Sequence, residues 1–424
     1  MKREDSITHK IDWATVLIYL AIVFLGWLNI YAVTYEEGAE TSIFSLDLNS
    51  GRQLIFIGGA VLIILAILII DRQFYETFAY IIYGLLLILL FLVPIIGKEV
   101  GGNKAWLGIG SFGVQPSEFA KFATALVVAK TIGSIGFKMD NLRNQLMLFA
   151  LIGTPMILIL LQKDMGTALV FAVFVLVFFR EGMSPFLILI GLASAIIFVL
   201  TLLVDNEYYL YLGIGALLVL TILLGRKKFK RIALLATGAL AIVIVIESVD
   251  YIVTDVLKPH QQNRIKALIN PDADPLGFGW NVTQSKIAIG SGGFLGKGFL
   301  EGTQTKYDFV PEQSTDFIFC TIGEEHGWIG SLFTIALFMV LLLRIVFLAE
   351  RQKNKFARVY GYSVACILFF HFAVNIGMTI GLFPVIGIPL PFFSYGGSSL
   401  WGFTILLFIF LKLDAHRMQV LQRL

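Results

Sequence analysis

The stretch WATVLIYLAIVFLGWLNIYAVT, residues 13–34, decides the fold. It runs for 22 residues without an acidic or basic side chain. A helix needs about 20 such residues to cross the hydrocarbon core of a bilayer. Further apolar runs follow near 53–70, 75–96, 117–134, 145–162, 166–180, 185–204, 209–225, 231–249, 328–349, 359–382 and 399–412. Composition agrees: 58% of the 424 residues are hydrophobic and 14% are charged, against about 25% charged in soluble domains. The expected class is an all-α polytopic membrane protein, a bundle of about twelve transmembrane helices.

Charge gives the orientation. Cytoplasmic loops collect Lys and Arg. With the N-terminus inside, the inside segments hold Lys2, Arg3 and Lys10, then Lys130, Lys138 and Arg143, then Arg226–Arg231, Arg351–Arg358, Arg417 and Arg423. The short outside loops hold Glu36, Glu37, Glu40, Asp47, Asp205 and Glu207. Both termini are therefore expected in the cytoplasm, with a large loop, 250–327, outside. A net charge of +3 points to no nucleic-acid partner. Cys320 and Cys366 sit in apolar surroundings, so no disulfide framework is expected. The five histidines have no metal-ligand spacing. The N-terminus is polar for about a dozen residues and the following run is too long for a signal-peptide core.

The polar chemistry gathers on the outside face. The long loop carries Arg264, Lys286, Lys297, Glu312, Asp316, Glu324 and Glu325. In the 101–123 stretch, Pro116 suits a first helical turn, and Glu118 and Lys121 then share one face of the fourth span. They are read as an ion pair at the interface or as one wall of a wet cavity, because an isolated charge at membrane depth costs at least about 2.5 kcal/mol. Asp164 stands at a tight break, either as a helix cap or as part of the same cavity. The glycine run at 290–298 fails the phosphate-loop pattern, since Gly298 follows Lys297 where Ser or Thr is required. Its amides still offer an anion site, with Lys286 or Lys297 assisting, unless the stretch is a plain lid. Ser314 or Thr315 is expected to cap a short helix with Asp316 in its first turn, where an acid complements the dipole and also stays ready to accept a proton. The Pro- and Gly-rich stretch 375–402 breaks what should be a span. Such backbone survives at depth only when buried in protein or lining water, so it is expected to line the same cavity.

These stretches together resemble the SEDS family (shape, elongation, division and sporulation) of bacterial peptidoglycan glycosyltransferases. The matching residues are QPSEFAK at 115–121, KDMGTA at 163–168, QQNRI at 261–265, QSKIAIGSGG at 284–293, PEQSTDFIF at 311–319, GEEHG at 323–327 and GIPLPFFSYGGSS at 387–399. GKGFLEGTQ, 296–304, resembles the rod-elongation branch, with the division branch as the near alternative. The resemblance implies an enzyme of the bacterial cytoplasmic membrane that polymerises lipid II into β-1,4 glycan strands with inversion, releasing undecaprenyl diphosphate. It implies Asp316 as the catalytic base. Arg264, Lys121, Lys286 and Lys297 become candidates to hold the diphosphate, with Arg52 a weaker one. Glu118 would orient Lys121, and Asp164 would shape the cavity. A divalent cation is a possible cofactor, although no ligand cluster points to one. The implied partners are a class B penicillin-binding transpeptidase and other elongation-complex membrane proteins. The family has ten spans, so the two extra runs form an inserted helical hairpin, about 205–250, in one integral domain.

Two other classes compete. A lipid II flippase or other transporter should show coupling charges at mid-membrane and repeated halves, and neither is visible. A scaffold that only recruits cell-wall enzymes would not need Asp316, Lys121 and Arg264 together.

Overall fold

The computed structural model describes residues 10–35, 42–100, 103–109, 112–204, 206, 208–224, 229–251, 262, 278–307 and 309–417. Each apolar run is helical. In chain order the helices are α1 (Trp13–Thr34), α2 (Asn49–Ile69), α3 (Arg72–Thr77), α4 (Ala79–Ile96), α5 (Pro116–Gly133), α6 (Leu142–Leu161), α7 (Met165–Val170) and α8 (Phe174–Arg180). They continue as α9 (Phe186–Leu203), α10 (Tyr208–Leu223), α11 (Phe229–Tyr251), α12 (Phe278–Ser291), α13 (Ile318–Glu350), α14 (Lys355–Thr379) and α15 (Gly397–Ala415). Among the described residues, eight of them are long and apolar enough to cross a membrane. Helix α5 carries Glu118, Lys121 and Lys130, yet most of its residues are buried in protein. The run 166–180 is two short α-helices joined by one 3-10 turn, Phe171–Val173.

The chain divides into two compact units, Met1–Met183 with Asn281–Leu424, and Ser184–Trp280. In the second unit α11 packs on α9 and α10, and Tyr211 donates to Glu247 at 2.9 Å. This unit contains the stretch expected as an insertion.

In the first unit α5, α14 and α15 form the centre. Helix α5 packs on α4, α14 and α15, while α13 packs on α1 and α14. The apolar windows of α14 and α15 are 72% and 83% buried, against 17% for α2. The inner helices therefore meet protein on every side, which permits polar residues that a lipid-facing helix would exclude. Tyr19 shows the packing: Phe392 and Phe408 meet its ring edge-on at 5.0 and 5.1 Å.

One departure from an entirely helical reading lies between α4 and α5. Strands β1 (Lys98–Val100), β2 (Asn103–Ile109) and β3 (Phe112–Val114) form an antiparallel ribbon in the order β1-β2-β3. Strand β2 pairs first with β1 and then with β3, Leu107 facing Val114 and Ile109 facing Phe112. Two strands of only three residues among glycines carry no periodicity that a sequence can display.

Ion pairs clasp one end of the bundle. Asp12 caps α1 and accepts from Arg344 Nε at 3.1 Å. Arg358 forks onto Glu181 at 3.0 and 2.9 Å. Asp414, fully buried, takes both arms of Arg351 and an amide hydrogen of Gln352. Burial pushes the Asp12 carboxyl up, but bonds from Arg344 and from the Thr15 hydroxyl and amide outweigh it and bring the group to about 2. A folded value below the unfolded one stabilises above pH 3.8 and is lost as pH falls toward 2. Asp12→Asn is expected to lower stability by on the order of 1 kcal/mol at pH 7. It should also flatten the fall in unfolding temperature between about pH 4 and pH 2, followed by scanning fluorimetry in detergent; an unaltered pH slope would show that the clasp contributes nothing.

Candidate active site

The opposite end of the bundle gathers the polar motifs. Pro116 opens α5, and Gln115 just before it makes two links. Its amide donates to Ser398 Oγ at 3.1 Å, at the start of α15. Its side chain donates to Asp164 Oδ2 at 3.0 Å. Asp164 Oδ1 accepts from Thr167 N at 3.0 Å and so caps α7. Asp164 is thus the expected cap, and its second oxygen ties α7 to the residue before α5.

The segment between α14 and α15, residues 380–396, is irregular, and its stretch 388–394 is almost wholly buried. Its backbone polar groups find specific partners. Ser394 Oγ accepts from Leu390 N at 2.9 Å and donates to Thr315 O at 2.6 Å. Tyr395 N donates to Ser314 O at 2.9 Å. Gly396 N donates to Gln53 Oε1 at 3.2 Å. Asn375 Nδ2 donates to Ile388 O at 2.7 Å and to Asp316 O at 2.8 Å. Three consecutive carbonyls, 314 to 316, are therefore held.

Asp316 lies two residues before α13, not in its first turn as expected. The turn closes on itself: Phe317 N donates to Glu312 O at 3.1 Å and Thr315 Oγ1 to Glu312 Oε2 at 2.9 Å. Neither Ser314 nor Thr315 caps the helix. The Asp316 carboxyl lies over Gly387, where a Cβ would come within 3.3 Å of Oδ2 and where φ is +70°.

Lys121 is neither at the interface nor in an open cavity. It is 1% exposed. Its ammonium donates to Glu118 Oε2 at 2.8 Å, contacts His371 Nε2 at 3.1 Å and lies 4.2 Å from the centre of the Phe403 ring. Those neighbours occupy the directions in which an ammonium donates, so in this structure Lys121 is spent within the protein interior.

Lys297 is also committed. It donates to Glu324 Oε1 and to Thr303 Oγ1, each at 2.6 Å. Glu324, fully buried, further accepts from the amides of Thr303, Gln304 and Thr305 at 2.8, 2.9 and 3.0 Å and from the hydroxyls of Thr303 and Thr305. One carboxylate thus shapes the loop 297–305. The glycine run is not an anion nest. Its glycine amides are spent on main-chain carbonyls: Gly292 on Ile289 O, Gly293 on Gly290 O, Gly296 on Gly292 O and Gly298 on Glu325 O. The glycines are there because the loop backbone lies directly on the backbone of α13, Gly292 against Gly323 and Gly296 against Glu325.

Lys286 is exposed and lies beside Gly381, at the end of α14. Arg52 is exposed and its Nε donates to Leu46 O at 2.9 Å, closing the turn before α2. Arg264 lies outside the described residues. Among the described residues no three His, Cys, Asp or Glu side chains converge as a metal site would require.

Two cavities adjoin this end. One of about 510 Å³ is lined by Tyr35, Asn49, Lys306, Glu312, Gln313 and Ser314 among others, two residues from Asp316. Lys306 lies 5.4 Å from the centre of the Tyr35 ring. The other, about 230 Å³ and mostly apolar, lies between α1 and α13. Lys306, Tyr35, His371 and Asn375 escaped the sequence reading. His371 and Asn375 had one available signal, their four-residue spacing on the helix that precedes the broken segment.

A helical membrane bundle with an acid pinned against a broken helix, next to a polar cavity, is the class that fold and site define. Residues 12–212 and 180–419 match the FtsW/RodA/SpoVE family, described as cell cycle protein, and the chain belongs to that family. The peptidoglycan glycosyltransferase RodA of Treponema pallidum is 31% identical over 435 residues, covering 96% of this chain and 98% of its own length. The peptidoglycan glycosyltransferase MrdB of Escherichia coli K12 is 32% identical over 391 residues, covering 92% and 90%. Among solved structures, a chain of a peptidoglycan synthase complex aligns with a TM-score of 0.68 at 27% identity, covering 96% of this chain and 99% of that one. The RodA of Thermus thermophilus aligns at 0.60 and 25%, covering 96% and 97%.

Glu324 generates a test. Glu324→Gln removes the ion pair and several charged hydrogen bonds, a local loss of about 3 kcal/mol. Limited proteolysis within 296–306 is expected to accelerate about a hundredfold, while the helices resist as before. An unchanged cleavage rate would show that the loop is held by something else.

Proposed function

We propose that this chain polymerises lipid II into β-1,4-linked glycan strands at the outer face of the bacterial cytoplasmic membrane, in the service of cell elongation. It is a peptidoglycan glycosyltransferase. In the proposed step the 4-hydroxyl of a terminal GlcNAc attacks C1 of a MurNAc carried on undecaprenyl diphosphate. The C1–O bond to the diphosphate breaks on the opposite side, so the α-linked sugar becomes β-linked. Asp316 takes the hydroxyl proton as the new bond forms. The diphosphate departs as an anion and needs cations, not a proton. Lys286, exposed beside Gly381, and Lys306, on the 510 Å³ cavity, are the described lysines placed for that work. Arg264 stays a candidate by its motif.

The observation that carries this reading is the fixation of Asp316. Its own carbonyl and the two before it are bonded, its side chain rests on Gly387, and residues 310–314 of the same turn line a cavity of about 510 Å³. A base must be held within hydrogen-bond reach of the proton it takes. The Lys and Arg bias supports placing this end outside and the termini inside. A class B penicillin-binding transpeptidase is the proposed partner, because uncrosslinked strands need a second enzyme.

Purified chain with fluorescent lipid II should give glycan polymer on a gel. Asp316→Asn is expected to reduce the rate at least about a hundredfold with an unaltered unfolding temperature. Polymer at the normal rate from that variant would remove Asp316 from the role of base.

A further inference from the structure

His371 and Asn375 stand four residues apart on α14, so their side chains emerge from one face, one above the other. They reach adjacent carbonyls of the broken segment, Pro389 and Ile388. Each also reaches a second element. Asn375 spends its side-chain nitrogen on Ile388 O and Asp316 O, at 2.7 and 2.8 Å. Both partners are acceptors, which fixes the orientation of the amide. His371 Nδ1 lies 3.2 Å from Pro389 O. A carbonyl only accepts, so Nδ1 carries the hydrogen, and Nε2 turns a lone pair to the Lys121 ammonium at 3.1 Å. Glu118 holds that ammonium from its other side at 2.8 Å.

A buried histidine with no further task can satisfy itself on its own helix. His416 does so, its Nδ1 lying 2.9 Å from Lys412 O, four residues back. His371 instead passes over its own helix and joins two other elements. The segment it grips holds Pro389 and Pro391, which have no amide hydrogen. At Ile388 and Pro389 the segment is anchored through its carbonyls, and α14 supplies both anchors.

We infer that His371 and Asn375 are a pair of positioning residues: one helical turn of α14 sets the Asp316 turn and the buried Glu118–Lys121 pair in register through the Ile388–Pro389 backbone. The kinetic consequence rests on the transferase reading above; the mechanical one does not. Neither residue touches substrate. Removing either should displace the base, not the binding cavity, so turnover falls while half-saturation by lipid II stays.

The test uses the full chain in phospholipid nanodiscs. His371→Leu and Asn375→Ala are expected to lower the maximal polymerisation rate by about ten- to a hundredfold, with half-saturating lipid II changed less than about threefold. His371→Gln keeps one donor and one acceptor and should recover at least about fivefold over His371→Leu. Hydrogen exchange gives a readout free of activity: in either variant, peptides 311–317 and 385–393 should lose protection together. A normal maximal rate in His371→Leu beside an inactive Asp316→Asn overturns the inference and leaves the transferase reading intact. Loss of protection in His371→Leu confined to 385–393, the stretch this residue touches directly, overturns it too. If wild-type chain yields no polymer, the transferase reading fails and the exchange data decide the coupling alone. Should His371→Leu not fold, His371→Gln and Asn375→Ala carry the same comparison.

Discussion

A backbone that leaves helical geometry inside a membrane bundle must find partners for its own carbonyls and amides, since lipid offers none. Residues 380–396 are where this chain meets that requirement. The partners come from rigid places: Asn375 and His371 on α14, Gln53 on α2, and Ser394 within the segment. Satisfying the segment therefore also fixes it. The turn carrying Asp316 is bonded to the same groups, so the acid inherits their rigidity. The rigidity of this turn follows from solvation, because it is tied to a structure that had to be tied down in any case.

Charge is handled differently at the two ends of the bundle. At one, carboxylates meet guanidinium forks across helix ends, as Asp12 with Arg344, Glu181 with Arg358 and Asp414 with Arg351. A buried carboxylate stripped of such a partner would cost several kcal/mol. At the other end the pairs are built inward. Lys121 and Glu118 lie under the broken segment, and Glu324 organises a loop around itself.

Much of this was legible in the residues. The spans follow from apolar length, because the bilayer imposes one dimension on every crossing. The break at 380–396 is written in its prolines and glycines, and the pairing of Glu118 with Lys121 in their spacing. What a sequence does not reveal is whether a donor is already spent. Lys297 reads as an anion contact until Glu324 is seen on it. The glycines at 290–298 read as an anion site until the amides of Gly292, Gly293, Gly296 and Gly298 are traced to main-chain carbonyls. Asp316 reads as a helical acid because Ser and Thr precede it, yet Glu312 closes the turn first. His371 looked isolated because its two partners are 18 and 250 positions away.

The close approach of the loop at Gly292 and Gly296 to the first turns of α13 has an evolutionary consequence. Main chain against main chain leaves no side chains to exchange, so no second substitution can compensate for a first. Room for other side chains along this stretch is left at outward-facing neighbours such as Leu295. A lineage can restyle the rim of this loop without limit, but the height of the loop above its helix is an inheritance it cannot edit.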